Sequence, residues 1–229
     1  MSKTFIIGDI HGEYQQFSDL LRLINFDYNK DTLIQLGDVV DRGLYSYECI
    51  EELLKIKHLI PIRGNHDKCW WDYLKGNEEI LWDQGGEQTY MSYKRNNVSP
   101  SIHFDFFANQ KDFYIDKNDN LFIHGGFNRH ELLKDQDPEI FYWDRDLFLA
   151  ALSYGSMNNN EHPFKIKEKV NKIFIGHTPT PYWGKTVPIT AANITNLDTG
   201  CGKGDYPLTA MNLKTGDIFQ TKKIYNALT

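Results

Sequence analysis

The sequence predicts a mixed α/β fold that opens with a β-α-β-α-β unit and collects its polar residues at strand ends. Two patterns carry that expectation. Between Thr4 and Ile62, short apolar runs alternate with amphipathic helical segments, and such crossovers imply parallel pairing. Five short runs also lead directly into glycine with Asp, Asn or His: Gly8-Asp9, Gly37-Asp38, Gly64-Asn65, His124-Gly125 and Gly176-His177. At 229 residues the chain is long enough for one well-buried core, so residues 1–229 are expected to form a single domain.

The elements follow in chain order. Thr4 to Ile7 reads as a buried strand, and Gly8-Asp9-Ile10-His11-Gly12 turns the chain. Phe17, Leu20, Leu21 and Ile24 recur at helical spacing, predicting a helix from Glu13 to Ile24. Thr32 to Leu36 is a second strand. Ile50, Leu53 and Leu54 define a helix from Ser46 to Lys57 that ends in lysines suited to its dipole. Leu59 to Ile62 is a third strand. The stretch from Lys68 to Phe113 reads as helical, with Trp70, Trp71, Trp82, Tyr90 and Phe104 as core or cleft-wall anchors. Asp116-Lys117-Asn118-Asp119-Asn120 imitates the start of a calcium loop but has Leu121 and Phe127 where Gly and Glu are required, so it is read as a turn between strands. Leu121 to Ile123, Ile173 to Ile175, Ile194 to Leu197 and Leu208 to Leu213 supply later strands, and Lys214 to Asp217 a hairpin turn. An irregular, partly helical insertion, with a loop at Asn158-Asn159-Asn160, lies between the two histidine-bearing strand ends.

Composition excludes several classes. A net charge of −6 and pI near 5.7 argue against a general nucleic-acid or membrane-surface binder, which needs a basic face. The amino terminus has too short an apolar run for a signal peptide, so the expected location is the cytoplasm. Cys49, Cys69 and Cys201 lack CxxC spacing and are not expected to form disulfides. Cys49 falls on an apolar helix face and reads as core.

The turn Gly37-Asp38-Val39-Val40-Asp41-Arg42-Gly43 places two carboxylates and a guanidinium between glycines. With it, Asp9, His11, Asp38, Asn65, His124 and His177 make an oxygen and nitrogen ligand set for two first-row divalent ions sharing one carboxylate. Two ions about 3.5–4 Å apart suit in-line hydrolysis of a phosphoester. Arg42, Arg63 and Arg145 are candidates to neutralise phosphate oxygens. His66, beside Asn65, is the candidate acid for the leaving alkoxide, with Asp41 fixing its ring. Any one strand-end Asp or His is ordinarily a solvated loop residue; the set of five in order is what makes the argument. His58, His103, His130 and His162 lack that context and are read as structural or surface residues.

These motifs together, with Gly64-Asn65-His66-Asp67 and His124-Gly125-Gly126, resemble the PPP-type metallophosphatases of the calcineurin-like superfamily. The bacterial and bacteriophage lambda branch is the nearest likeness, over roughly Thr4 to Leu213. The resemblance implies two mixed sheets packed as a sandwich and flanked by helices. It implies one metal on Asp9, His11 and Asp38, and the other on Asp38, Asn65, His124 and His177, with manganese as the assay metal and iron or zinc as alternatives. It implies direct attack by a metal-bridging hydroxide on a phosphorylated protein, serine/threonine or dual-specificity, or on a small phosphoester. Asp67 departs from the Glu common in the family and leaves the support of His66 open. Leu197-Asp198-Thr199-Gly200-Cys201 also resembles the symmetrical dinucleoside tetraphosphate hydrolases, a competing expectation, and a catalytically silent metal-bound binding module is a third.

Overall fold

Parallel strands joined by amphipathic helices need cover on both faces, and the chain meets that need with two sheets packed together and helices outside each. The computed structural model describes residues 2–77, 82–156 and 163–221. The first sheet has the order β10-β9-β1-β2-β3, formed by β1 (Thr4–Ile7), β2 (Thr32–Gln35), β3 (His58–Pro61), β9 (Thr209–Asn212) and β10 (Ile218–Gln220). Its β1, β2 and β3 are parallel, and β9 and β10 extend it antiparallel. The second sheet, β4-β5-β6-β8-β7, uses β4 (Phe113–Ile115), β5 (Leu121–Ile123), β6 (Ile173–Ile175), β7 (Ile189–Ala191) and β8 (Ile194–Asn196), with β5, β6 and β8 parallel. Ile6, Ile34, Phe122, Phe174 and Met211 form the core between the sheets, where Phe122 stacks on Phe174 at 5.1 Å.

On the outer face of the first sheet, α1 (Tyr14–Leu23) and α2 (Ser46–Leu54) bury Phe17, Leu20, Leu21, Cys49, Ile50 and Leu53. Both helices are shorter than their apolar spacing suggests. Beyond α2 the chain turns so that the Lys57 N–H donates to the Tyr28 carbonyl, leaving Lys57 outside the helix. The third strand begins one residue earlier than expected and includes Pro61, which β3 tolerates as an edge strand. Helices α3 (Asn65–Leu74), α4 (Gly86–Arg95) and α5 (Phe104–Ala108) confirm the helical middle region. Of its expected anchors, Trp70 is core, but Trp82, Tyr90 and Phe104 are exposed; α4 and α5 turn Tyr93, Phe106 and Phe107 inward instead.

The second sheet is covered by α6 (Glu139–Trp143) and α7 (Asp146–Ser156), through Phe141, Tyr142, Leu147, Phe148 and Ala151. The calcium-like segment is the β4–β5 turn, closed by Asp116 accepting the N–H groups of Asn118 and Asn120. Strand β7 was not foreseen, because Pro188 obscures it. Asn158 to Asn160 and His162 lie outside the described residues. No helix among the described residues is long and apolar enough to cross a membrane.

Candidate active site

The carboxyl ends of β1, β2 and β3 meet those of β5, β6 and β8 along one edge of the sandwich, where α/β sheets commonly hold ligands. Asp9, Asp38, Asn65, His124 and His177 each sit just past one of these ends, and all are buried. The turns that deliver them are tight. His11, Asp38, Asp41, Arg42 and His177 have φ between 48° and 71°, the left-handed region that non-glycine residues rarely occupy and that recurs at functional sites. A Cβ on Gly64 would collide with Asp38 Oδ1, and one on Gly176 with Asp9 Oδ1, so glycine at these two positions is a condition of bringing these side chains together.

Asp38 is the hub. Its Oδ2 lies 3.4 Å from His124 Nε2, 3.6 Å from His11 Nε2 and 4.0 Å from His66 Nε2. The rings are aimed by their other nitrogens: His11 Nδ1 donates to the Val40 carbonyl at 2.9 Å and His124 Nδ1 to the Leu36 carbonyl at 2.7 Å. This fixes the tautomer and turns each Nε2 inward, as in metal sites. Asn65 Oδ1 faces His124 Nε2 at 3.1 Å and His177 Nδ1 at 3.0 Å. Asp9 accepts the His177 N–H with both oxygens and lies 3.8 Å from His11 Nε2.

The ionisable groups of the cage perturb one another strongly. Burial pushes the Asp9 carboxyl well up, reinforced by Asp198 beside it. Burial works the same way on Asp38, but the neighbouring His124, His66 and His11 outweigh it and hold Asp38 well below the usual range. His124 is opposed by burial yet raised to about 9 by Asp38. His177 falls to about 2 through burial and the adjacent His124, and its Nε2 has no partner. The donor set fits metal: His124 and His177 join Asp38 in one group, and His11 and His66 join it in another. In the second group His66 Nε2 is the farther from Asp38 Oδ2, at 4.0 Å against 3.6 Å for His11, and it accepts from Arg42 Nη2 at 3.0 Å. Asp9 completes the oxygen and nitrogen set next to His11 in its place.

His66 and Asp41 form a dyad. His66 Nδ1 donates to Asp41 Oδ2 at 2.7 Å, while Thr89 Oγ1 donates to Asp41 Oδ1 at 2.7 Å and accepts the Asp41 N–H. Arg42 also donates to His11 Nε2, so its guanidinium spans both imidazoles. Arg145 is exposed at the start of α7, beside Trp143, whose ring meets His177 edge-on at 6.2 Å.

Arg63 requires correction. It was expected to grip phosphate, but its Nη2 donates to the Phe107 and Gln110 carbonyls, its Nη1 reaches Asp112, and the guanidinium lies over Trp71 at 4.1 Å. Its Nη donors clamp the loop after α5, while the buried Nε has no partner. Asp67 does not support His66 either. It accepts the N–H groups of Asp38, Val39 and Gly64 and the Gln110 amide, so the shorter carboxylate holds the Asp38 turn in place. Burial and the Asp38 charge raise it to about 6.

Two residues escaped the sequence reading. Thr89 sits mid-helix with nothing in its context to mark it. Asp198 follows β8 and precedes Gly200, the same grammar as the ligands, and could have been found. It is buried beside Asp9, with Oδ1 accepting the Gly200 N–H and Oδ2 unpartnered.

Two mixed sheets with a His, Asp and Asn cage at their shared carboxyl edge present a buried donor set that could hold metal ions. The chain belongs to the calcineurin-like phosphoesterase family, whose model matches residues 2–199, and that family works with two metal ions. It is 34% identical over 203 residues to serine/threonine-protein phosphatase 1 of Salmonella typhimurium, covering 86% of each chain. It is 44% identical over 64 residues to the symmetrical bis(5'-nucleosyl)-tetraphosphatase of Coxiella burnetii, covering 28% of this chain and 22% of that one. A crystal structure provisionally named a diadenosine tetraphosphatase superposes with a TM-score of 0.69 at 18% identity, over 98% of this chain and 94% of that one, a likeness of fold alone.

Proposed function

We propose that this phosphoesterase hydrolyses phosphomonoesters, with phosphoserine and phosphothreonine of proteins as its substrates. The observation that carries the reading is the His66–Asp41 dyad beside the Asp38 hub. Asp9, His11 and Asp38 would hold one divalent ion, and Asp38, Asn65, His124 and His177 the other. When bound, these ions supply the positive charge that activates water and offsets the phosphoryl oxygens. Arg42 binds the phosphoryl group, turning donors from the two imidazoles to the incoming anion, and Arg145 approaches it from the rim. As the ester breaks, His66 gives a proton from Nε2 to the departing alkoxide, and Asp41 stabilises the imidazolium through Nδ1 and sets the ring plane. Residues 1–229 act as one catalytic domain. A cytoplasmic location accords with unpaired Cys49, Cys69 and Cys201.

The 64-residue match to tetraphosphatases supports a second reading, the symmetrical cleavage of dinucleoside tetraphosphates. Against it stand the longer match to a protein phosphatase and the pairing of Asp41 with His66, which suits protonation of an alkoxide leaving group. Comparing kcat/KM for a phosphoserine peptide, para-nitrophenyl phosphate and diadenosine tetraphosphate with added Mn²⁺ separates them. The peptide is expected to exceed the dinucleotide; the reverse order assigns the enzyme to dinucleotides.

A further inference from the structure

The chain carries 31 acidic residues against 25 Lys and Arg, yet the lip of the site gathers three cations, Arg42, Arg145 and Lys203, with the buried Asp198 carboxylate within electrostatic reach of Arg42 and Lys203. Among the described residues, no carboxylate lies within ion-pair distance of Arg42, Arg145 or Lys203. Two of the three, Arg42 and Lys203, are half-buried and act on Asp198 without a direct ion pair, which leaves their donors available to an incoming anion. The loop from Gly200 to Gly204 holds Lys203 there. A Cβ on Gly202 would strike His11 and approach Arg42, and one on Gly200 would press on Pro181, so this loop lies between the catalytic turn and the turn bearing Tyr182. Lys203 Nζ donates to Tyr182 Oη at 3.1 Å and sits 5.1 Å from the ring centre. Tyr182 is 65% exposed. Its hydroxyl accepts from Lys203, which leaves its own O–H free to be given to an anion. The charges of Lys203, Arg145 and Arg42 all reach that hydroxyl and hold its pKa below the ordinary phenol value, led by the Lys203 hydrogen bond.

We propose that Lys203 and Tyr182 form a second anion subsite, offset from the phosphoryl site at Arg42, that takes the carboxylate of an acidic residue flanking the phosphoserine or phosphothreonine of a protein substrate. This rests on the phosphoprotein reading and extends it to a sequence preference. The scissile phosphoryl engages Arg42 and Arg145, and the neighbouring Asp or Glu accepts from Lys203 Nζ and Tyr182 O–H. Charge pairs of this exposure shift affinity about two- to fivefold, and the shift weakens as salt rises.

The test compares two phosphoserine peptides identical except for Glu or Ala in the flanking positions. The wild-type protein is expected to favour the Glu peptide about two- to fivefold in kcat/KM, through KM, with the ratio shrinking at high salt. In Lys203→Gln the ratio is expected to approach one, and in Lys203→Glu to invert; taking the ratio within each variant cancels any general loss. Tyr182→Phe, which keeps the ring, is expected to reduce the ratio partially. Equal KM values in the wild type, or a ratio undiminished in Lys203→Gln, overturn the proposal. If neither peptide is cleaved while para-nitrophenyl phosphate is, the phosphoprotein reading fails separately. The subsite is then judged by the peptides' inhibition constants against para-nitrophenyl phosphate, where equal values overturn it.

Discussion

His66 and Asn65 are neighbours at the start of one helix, yet they face different tasks. Asn65 Oδ1 points at His124 and His177, whereas His66 points at Asp41 and Arg42. Substituting His66→Asn should therefore leave both metals bound while slowing cleavage of a phosphoserine peptide by about 10²–10⁴-fold, the usual worth of a general acid. Para-nitrophenyl phosphate should suffer less, because nitrophenolate departs without a proton. Metal analysis with single-turnover rates on both substrates checks this; loss of metal, or equal slowing with chemistry rate-limiting, would remove His66 from the acid role. The two arginines diverge in the same way. Arg42→Ala should depress kcat/KM with little change in stability. Arg63→Met, by unclamping the Phe107 and Gln110 carbonyls, should cost stability of about 1–3 kcal/mol in urea melts without affecting phosphate inhibition. Sequence could not separate them, because both follow a strand and both adjoin glycine; what differs is which acceptors the fold brings to each guanidinium.

Among the elements, the strands that carry the polar ends were legible because each apolar run is short and punctuated by glycine, whereas β7 was hidden by Pro188 and β4 begins at Phe113, inside the stretch read as helical. The helical middle was legible only as helical, and its contribution was not. Thr89, on α4, braces Asp41, and Ser92 accepts from Tyr47, so α4 is keyed to the catalytic turn by small polar residues with no periodic signature. His103 ties the same helix to α2: its ring contacts Tyr93 Oη and Glu51, each at 2.8 Å, and stacks on Tyr47. Burial lowers its pKa below 6.5, and the opposing pull of Glu51 does not restore it. Because the unfolded chain takes up this proton more readily than the folded one, the neutral ring's contribution is present above pH 6.5 and is lost as pH falls below it. His103→Gln should then lose less stability than the wild type between pH 7 and pH 5. Parallel melts at the two pH values measure the difference, and an identical acid loss would place the sensitivity elsewhere.

At the scale of the whole molecule, two sheets contribute three parallel strands each to one edge, and the hub at Asp38 exists only where they meet. Hydrogen bonds across that seam, from His124 to the Leu36 carbonyl and from the His177 N–H to Asp9, make assembly of the site a consequence of packing the sandwich. The order of the motifs along the chain pointed to the residues that the fold gathers at this edge, but not to the backbone strain at His11, Asp38 and His177, which depends on both sheets being in place. The central claim is that this cage, filled by two divalent ions, is the hydrolytic centre. It is tested most directly by stripping the protein with chelator, titrating Mn²⁺ back, and following bound metal and phosphomonoester hydrolysis in the same samples. Hydrolysis absent from the stripped protein and rising to its plateau as the second ion binds is the predicted result; full activity in metal-free protein would contradict it.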